Sequence, residues 1–179
     1  LAMIGFRKAW PMLFFGGILF LGNIPYASAG EGLLRGLLIY AQHWEFNSLA
    51  LDVFREIFGN QITARLVICA IFSVAVLILT LGWMHPIRAG YILTGLFLWL
   101  TPTMHPWYLI WILPFLVFYR NPAWLVFTCL SAVSYKVLVR YSVEGIWQEE
   151  LWVKWVEYGG FILVWTINLG LRKFRAMRC

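Results

Sequence analysis

The sequence predicts an all-α, polytopic membrane protein with about six transmembrane or re-entrant helices and further amphipathic helices in the outer interface. Hydrophobic residues make up 62% of the 179 residues, charged residues make up only 12%, and the mean hydropathy is +0.78. No soluble domain of this length needs so apolar a composition for its core. The 11 Trp and 8 Tyr residues suit the aromatic belts at the two surfaces of a bilayer.

Six apolar segments follow one another along residues 1–179 and are interpreted as parts of a single multi-pass domain. The third and fourth are shorter than the ~20 residues that cross a ~30 Å hydrocarbon core. Either both include flanking residues, or the loop between them lies below the membrane surface. The segments are Ala9–Ala27, Ile62–Met84, Ala89–Leu100, Trp107–Tyr119, Pro122–Tyr141 and Val156–Leu171.

A helix break is predicted within Thr101–Phe115, between the third and fourth segments. Pro102 and Pro106 lack the backbone N–H that a helix interior needs, and they favour extended geometry at the residue before each of them. Irregular backbone at membrane depth lines a wet cavity or is buried in protein. The loop at residues 101–106, which contains His105, is therefore the first candidate for a site.

The distribution of charges predicts a cytoplasmic start and a cytoplasmic C-terminus. Lys and Arg decide orientation, and the basic tail Arg172–Arg178 is the clearest signal. The loops at residues 28–60, 101–106 and 142–155 then face outside. The inner side holds bases and no acid: Arg7, Lys8, Arg88, Arg120, Arg172, Lys173, Arg175 and Arg178. The outer side holds every acid, together with Arg35, Arg55, Arg65, Lys136, Arg140 and Lys154.

The two longer external loops carry amphipathic patterns. Apolar residues recur at helical spacing in residues 28–60, which predicts two interfacial helices, the second capped by Asn47 or Ser48. The stretch Ile146–Trp155 within the 142–155 loop is interpreted as a third interfacial helix. The external face thus has a roof as well as a candidate pocket.

Composition and motifs argue against several classes of function. The basic residues that give the net charge of +6 follow membrane topology and form no polar patch, so no nucleic acid partner is expected. No acid lies inside the six segments away from their ends, which argues against proton- or sodium-coupled transport. The sequence has no Gly-rich phosphate loop, no metal spacing of His or Cys and no Ser nucleophile elbow. Neither a metal nor a cofactor is expected.

Basic side chains at the outer surface are the candidates for binding a phosphate. His105 can hydrogen-bond a phosphate or a sugar hydroxyl, or it can simply close a helix end next to proline. Lys136 and Arg140 share one helix face and suit a lipid-linked phosphate, unless both side chains only extend to the interface. Arg65 is a third candidate cation and Arg35 a fourth.

A short polar and aromatic turn is the second candidate. His43 and Glu45 flank Trp44, so an imidazole and a carboxylate can act as base or hydroxyl ligand while the ring packs against a sugar. The alternative is an interfacial anchor, with Trp44 and Phe46 in the lipid and Glu45 outside.

The residues at 105–109 (HPWYL) and 111–115 (WILPF), with the turn His43-Trp44-Glu45-Phe46-Asn47, resemble the C-terminal half of GT-C membrane glycosyltransferases. The similarity is greatest to the branch with the mycobacterial phosphatidylinositol-mannoside mannosyltransferases. In that family the sugar donor is a polyprenyl-phosphate sugar. The resemblance implies that His105 lies beside the donor phosphate or sugar and that the turn from His43 to Asn47 helps to form a cavity roof.

The family's catalytic Asp or Glu lies in its first external loop, near the N-terminus. The chain opens at Leu1 without a signal-peptide pattern, and we interpret it as the C-terminal portion of a longer protein. The resemblance therefore implies donor and acceptor surfaces without the base, and no activity for this portion alone.

The leading hypothesis is transfer of a hexose, mannose by resemblance, to a lipid or glycan acceptor on the extracytoplasmic face of the cell membrane. The expected partners are the polyprenyl-phosphate sugar, the acceptor and membrane lipids. A transporter or flippase of a lipid-linked substrate needs the same groove and cations but no base, and is the alternative. A non-catalytic scaffold subunit is a third hypothesis.

Overall fold

The computed structural model describes residues 2–30, 32–82 and 84–176, and the regular structure in these ranges is helical. The all-α prediction is confirmed for this part of the chain. Glu31, Trp83 and the tail residues 177–179, with the basic Arg178, lie outside the described residues. The chain forms two compact units, Leu1–Trp44 and Glu45–Cys179.

The first unit is a helix, a short 3₁₀ turn and a second helix. Helix α1 spans Ala2–Asn23, the 3₁₀ turn spans Ile24–Ala29, and α2 spans Gly32–His43. Every described side chain from residue 13 to residue 30 is exposed, including large apolar ones such as Phe20. This unit therefore buries little of its apolar surface against itself.

The second unit contains seven helices within the described residues. In chain order they are α3 (Leu49–Phe58), α4 (Gln61–Leu81), α5 (Pro86–Leu100), α6 (Leu113–Leu116), α7 (Pro122–Leu130), α8 (Lys136–Glu144) and α9 (Leu151–Ala176). Two 3₁₀ segments, Pro106–Trp111 and Ser131–Tyr135, precede α6 and α8.

Capping residues and a glycine turn determine where helices begin and end in this unit. Ser48 caps α3 by accepting from the Leu51 N–H at 3.2 Å, and it is one of the two predicted caps. The Asn60 carboxamide caps α4 by accepting from the N–H groups of Ile62 and Thr63. Between these helices Gly59 adopts φ +65°, a left-handed conformation that costs little only for glycine. The chain therefore turns sharply from α3 into α4.

The core lies where α5, α7 and α9 meet the 3₁₀ segment after His105. Its largest fully buried side chains include Phe127 of α7, Tyr158 of α9 and Leu98 of α5. Helix packing in a membrane depends on close contact more than on expulsion of water, and small residues permit that contact. Gly160 serves this purpose, since a Cβ placed there would overlap the Leu130 Cδ1 atom of α7.

Three stretches differ from the sequence predictions. Residues 122–141 form α7, a 3₁₀ segment and α8 rather than one regular α-helix, because the hydroxyls of Ser131 and Ser134 hydrogen-bond the carbonyls of Thr128 and Ser131. Residues 107–119 form 3₁₀ structure and the four-residue α6. The predicted interfacial helix Ile146–Trp155 is not separate, since its second half is the first turn of the continuous α9.

Among the described residues, two helical stretches are long and apolar enough to cross a membrane, Gln61–Leu81 and Pro122–Glu144. A third counts if the bent pair Leu13–Ala29 and Leu34–His43 forms one span. The apolar α5 has only 15 residues. These helices support a membrane location in general terms. Six spans, their orientation and the interfacial placement of amphipathic helices stay predictions.

Replacing Gly160 with Leu is expected to lower the free energy of unfolding by about 1–3 kcal/mol, the usual range for overpacking. The physical reason is the overlap with Leu130, whose side chain must shift within the packed contact between α7 and α9. Thermal unfolding of the detergent-purified chain, followed by Trp fluorescence, measures the change. Gly159→Leu is the matched control, because a Cβ at Gly159 meets no atom within 4 Å. Equal stability of the two variants would contradict this packing.

Candidate functional site

The two loops that carry the sequence motifs meet in the second unit. The Phe46 N–H donates to the Pro102 carbonyl at 3.1 Å, and the Met104 N–H donates to the Phe46 carbonyl at 2.7 Å. Phe46 and Thr103 thereby form a single parallel bridge between segments that lie more than fifty residues apart in sequence. Pro102 and Pro106 keep the 101–105 loop out of a helix, which leaves its backbone free to make this bridge.

His105 lies in a cluster of aromatic rings. Its imidazole stacks on Phe46 with ring centroids 4.8 Å apart and on Trp107 at 4.2 Å, and it meets the edge of Tyr108 at 5.4 Å. Burial lowers the pKa of His105 below its ordinary value of 6.5, and the nearby Glu149 carboxylate opposes that shift. The imidazole is therefore neutral at pH 7 and can donate one hydrogen bond and accept another.

Asn47 is held by three hydrogen bonds to the beginning of α9 and the loop before it. Its N–H donates to Glu149 Oε2 at 2.9 Å, and its Nδ2 donates to Glu157 Oε2 at 2.5 Å. Its carbonyl accepts from the Tyr158 hydroxyl at 3.0 Å. Asn47 is buried and adopts φ +49°, a conformation that Asn tolerates better than most residues. Asn47 thus fixes the Phe46 turn to α9.

A chain of ion pairs joins α3 to α9. Lys154 Nζ lies 2.6 Å from Asp52 Oδ2 and 2.9 Å from Glu149 Oε2, and its side chain is only 9% exposed. Burial by itself lowers the pKa of Lys154, but hydrogen bonds to Asp52 and Glu149 outweigh it and raise the pKa. The series of ion pairs continues from Asp52 to Arg55 at 2.7 Å and from Arg55 to Glu45 at 3.1 Å. Lys154 is therefore charged at physiological pH.

Two of the predicted phosphate-binding cations, Lys136 and Arg140, have carboxylate partners. Lys136 pairs with Glu150 at 2.8 Å, and Arg140 pairs with Glu144 at 2.9 Å within α8. Hydrogen bonds from Lys136 and Trp152 lower the pKa of Glu150. The third candidate, Arg65, is a buried residue of α4 at 8% exposure. Each cation thus takes part in local structure, and the first two pairs are partly exposed to solvent.

A small cavity lies between some of these residues. Lys136, Asn47, Phe46 and Glu149 line it, with Ser134 and Lys154 at its sides. Its volume of about 10 Å³ holds about one water molecule and no hexose. The sequence predicted a wet hollow beside His105. His105 is not among the residues that line this cavity, and the cavity is far smaller than a sugar.

The residues predicted to form a roof fall in both units. His43 ends α2 and Trp44 follows it, with the Trp44 ring 5.5 Å from Tyr40 and 55% exposed, and both belong to the first unit. Glu45 begins the second unit and accepts from Arg55 and from Gln61. The second unit contributes Glu45 and Asn47 to the site. The fourth candidate cation, Arg35, lies on α2 of the first unit.

Sequence reasoning missed the acidic and basic residues that hold the site together. The sequence pattern places Glu149 and Lys154 on the polar face of an interfacial helix, and Glu157 at the end of a membrane segment. The buried residues Lys154, Glu157, Tyr158 and Phe161 recur at helical spacing on α9. This spacing places the charged residues Lys154 and Glu157 on the buried face of α9, and it is the sequence signal from which their role could have been predicted.

No protein-family model matches the chain, and neither does any curated protein or solved structure. The residues of the second unit and their contacts are accordingly the basis for a functional assignment.

Lys154→Met is expected to lower the free energy of unfolding by about 2–3 kcal/mol. Removing one partner of a buried ion pair costs about 3–5 kcal/mol, and the effect here is smaller because Asp52 and Glu149 are partly exposed. Thermal unfolding in detergent measures the difference. Lys136→Met is the matched control and should change stability little, because its pair with Glu150 is more exposed. A larger loss in the control would reverse this ranking.

The titration of His105 is expected to occur below pH 6.5. The unfolded chain then binds this proton more readily than the folded chain, so the free energy of unfolding decreases as the pH falls below about 6.5. NMR of ¹³C-labelled histidine measures the midpoint, and His105→Gln assigns the signal among three histidines. Phe46→Ala should raise the midpoint by exposing the ring. A midpoint that Phe46→Ala leaves unchanged would remove burial as the cause.

Proposed function

We propose that this protein is an integral membrane glycosyltransferase that transfers a hexose such as mannose from a polyprenyl-phosphate sugar. The acceptor in this proposal is a lipid or a glycan on the extracytoplasmic face. The residues assigned to the donor are His105, Lys136 and Arg140, with Arg65 as a third candidate cation. Glu45 and Asn47 of the second unit are assigned to the acceptor side or the cavity roof.

The contact between Phe46 and His105 carries this proposal. The two motifs that resemble the glycosyltransferase family are distant in sequence, yet their rings stack and their backbones share two hydrogen bonds. A common site needs such a contact, and unrelated matches to short motifs do not require it. The neutral imidazole of His105 can accept from a sugar hydroxyl or donate to a phosphate oxygen.

The cations support donor binding because their present partners can be exchanged. Partly exposed ion pairs contribute little to stability, so the phosphodiester of the donor, which carries one negative charge, can replace Glu150 at Lys136 or Glu144 at Arg140. Glu150 lies in a non-helical segment at residues 146–150, so its side chain can leave Lys136 while Glu149 keeps its bonds to Asn47 and Lys154. In this proposal the donor enters as Glu150 leaves Lys136 and the small cavity opens.

The proposed role of the two cations is to stabilise the leaving polyprenyl phosphate. Negative charge grows on its bridging oxygen as the bond to the sugar carbon breaks, and positioned cations lower the energy of that state. Acceptor activation requires a carboxylate that removes the hydroxyl proton. The proposal assigns that carboxylate to no residue of this chain.

Transfer assays on the complete gene product test the proposal. Membranes that contain His105→Ala, or Lys136→Ala with Arg140→Ala, are supplied with a radiolabelled polyprenyl-phosphate hexose, and product is measured against donor concentration. Loss of a charged hydrogen bond costs about 1.5–3 kcal/mol, so each change should lower kcat/KM for the donor roughly tenfold or more. Lys173→Ala is the control, since Lys173 is an exposed cation near the other end of α9.

Unchanged turnover in both test variants would remove the assigned site. A transport assay separates the alternative function, since a flippase moves a labelled polyprenyl-phosphate sugar across proteoliposomes without forming a glycosylated product. Movement without product would replace the enzyme proposal with that alternative.

A further inference from the structure

A groove lies between α5, α7 and α9, beyond the residues assigned to the donor. Its volume is about 370 Å³, and its walls are almost entirely apolar. The wall residues used below are Ile92, Leu96, Trp99, Phe161, Ile162 and Trp165. Gly95 forms part of the floor, where a Cβ would lie 3.0 Å from the Trp124 ring. The absence of a side chain at Gly95 lets the Trp124 indole lie against α5.

One end of this groove is polar. The Tyr91 hydroxyl oxygen accepts from Trp124 Nε1 at 3.1 Å and from Asn121 Nδ2 at 3.3 Å. A hydroxyl group has two lone pairs and one hydrogen. With both lone pairs in use, Tyr91 has its hydrogen to donate, and an ester carbonyl is an acceptor of suitable size and chemistry.

Two basic residues lie close in sequence to the residues of this polar end. Arg88 precedes Tyr91 by one helical turn on α5, so the two lie on the same face, and Arg120 directly precedes Asn121. Both arginines are exposed, and both side chains carry a positive charge at neutral pH. The charge at this end therefore matches an anionic group.

We infer that this groove binds one anionic phospholipid, with an acyl chain against the apolar walls and the head group near Arg88 and Arg120. The ester carbonyl accepts from the Tyr91 hydroxyl. This site is separate from the proposed donor site, because Tyr91 lies in the first half of α5 whereas the His105 loop follows its last residue. An acyl chain fits the apolar walls, and the two arginines select the head group.

A second groove on the other side of α5 provides a matched comparison. Its volume is also about 370 Å³, and Phe72, Leu93, Phe97 and Trp111 line it. It lacks the polar end, since Thr94 is its only polar wall residue among the residues described. The neighbouring positions Ile92 and Leu93 therefore face two grooves of equal volume but different chemistry.

Native mass spectrometry of the full chain in detergent tests the inference with phosphatidylglycerol and phosphatidylcholine that carry identical acyl chains. Phosphatidylglycerol should be retained several-fold better, and Arg88→Gln with Arg120→Gln should bring the two lipids close to equality. Ile92→Trp, which fills the groove, should lower retention of phosphatidylglycerol about tenfold. Leu93→Trp should leave it unchanged.

Tyr91→Phe keeps the ring and removes the hydroxyl, both the hydrogen that it donates and the oxygen that accepts from Trp124 and Asn121. It tests the site even if Ile92→Trp fails to fold. It should lower phosphatidylglycerol retention several-fold with an unchanged circular dichroism spectrum. Full retention in Tyr91→Phe and in Ile92→Trp would overturn the inference, and so would equal retention of both lipids by the unmodified chain. A change of oligomeric state in Ile92→Trp without loss of lipid would assign the groove to a second copy instead.

Discussion

The arrangement of the second unit depends on the hydrogen bonds of Asn47. The residue is buried in a left-handed conformation, and its N–H, side-chain amide and carbonyl all have partners at the start of α9 or just before it. Leaving a buried polar group unpaired costs about 1–3 kcal/mol, so three such groups strongly favour one placement of the turn. Phe46 is the next residue back, and its position determines what His105 packs against.

Lys154 extends the same constraint to α3. Its ammonium group lies between Asp52 of α3 and Glu149, which also accepts from the Asn47 N–H. Buried ion pairs are weak contributors to stability, since burial of the charges offsets much of their attraction. Their value is in specifying one geometry, because any other placement of α9 leaves Lys154 or the two carboxylates uncompensated. Glu149 is the shared element, bonded to the turn and to Lys154 and close enough to His105 to influence its pKa.

Local chemistry in the sequence was enough to predict the helical class, the break at Pro102 and Pro106, and a cap at Asn47 or Ser48, of which Ser48 is the cap observed. These features depend on a missing N–H, a fixed φ or a hydroxyl within three residues, all of which are visible in the sequence. The α7–α8 interruption depends on hydroxyls that bond the preceding turn, a choice that apolar periodicity does not reveal. The site was harder to predict from the sequence than the helices, because the hydrogen bond from Asn47 to Glu157 joins residues 110 positions apart. A pattern within one segment carries no information on such a pairing.

The two ends of α5 differ in how their polar groups are paired and in how much open space they border. This difference affects how the protein binds the proposed substrate and the proposed lipid at the same time. About nine residues separate Tyr91 from the end of α5, which corresponds to about 14 Å along the helix. At the His105 end, polar side chains are paired with one another and the space between them is small, so a ligand must displace an existing partner. At the Tyr91 end, the hydroxyl has a hydrogen to donate and the groove is already open. A lipid can therefore occupy the groove without disturbing the ion pairs, while α5 and α7, which it contacts, carry the loops that position His105 and Lys136.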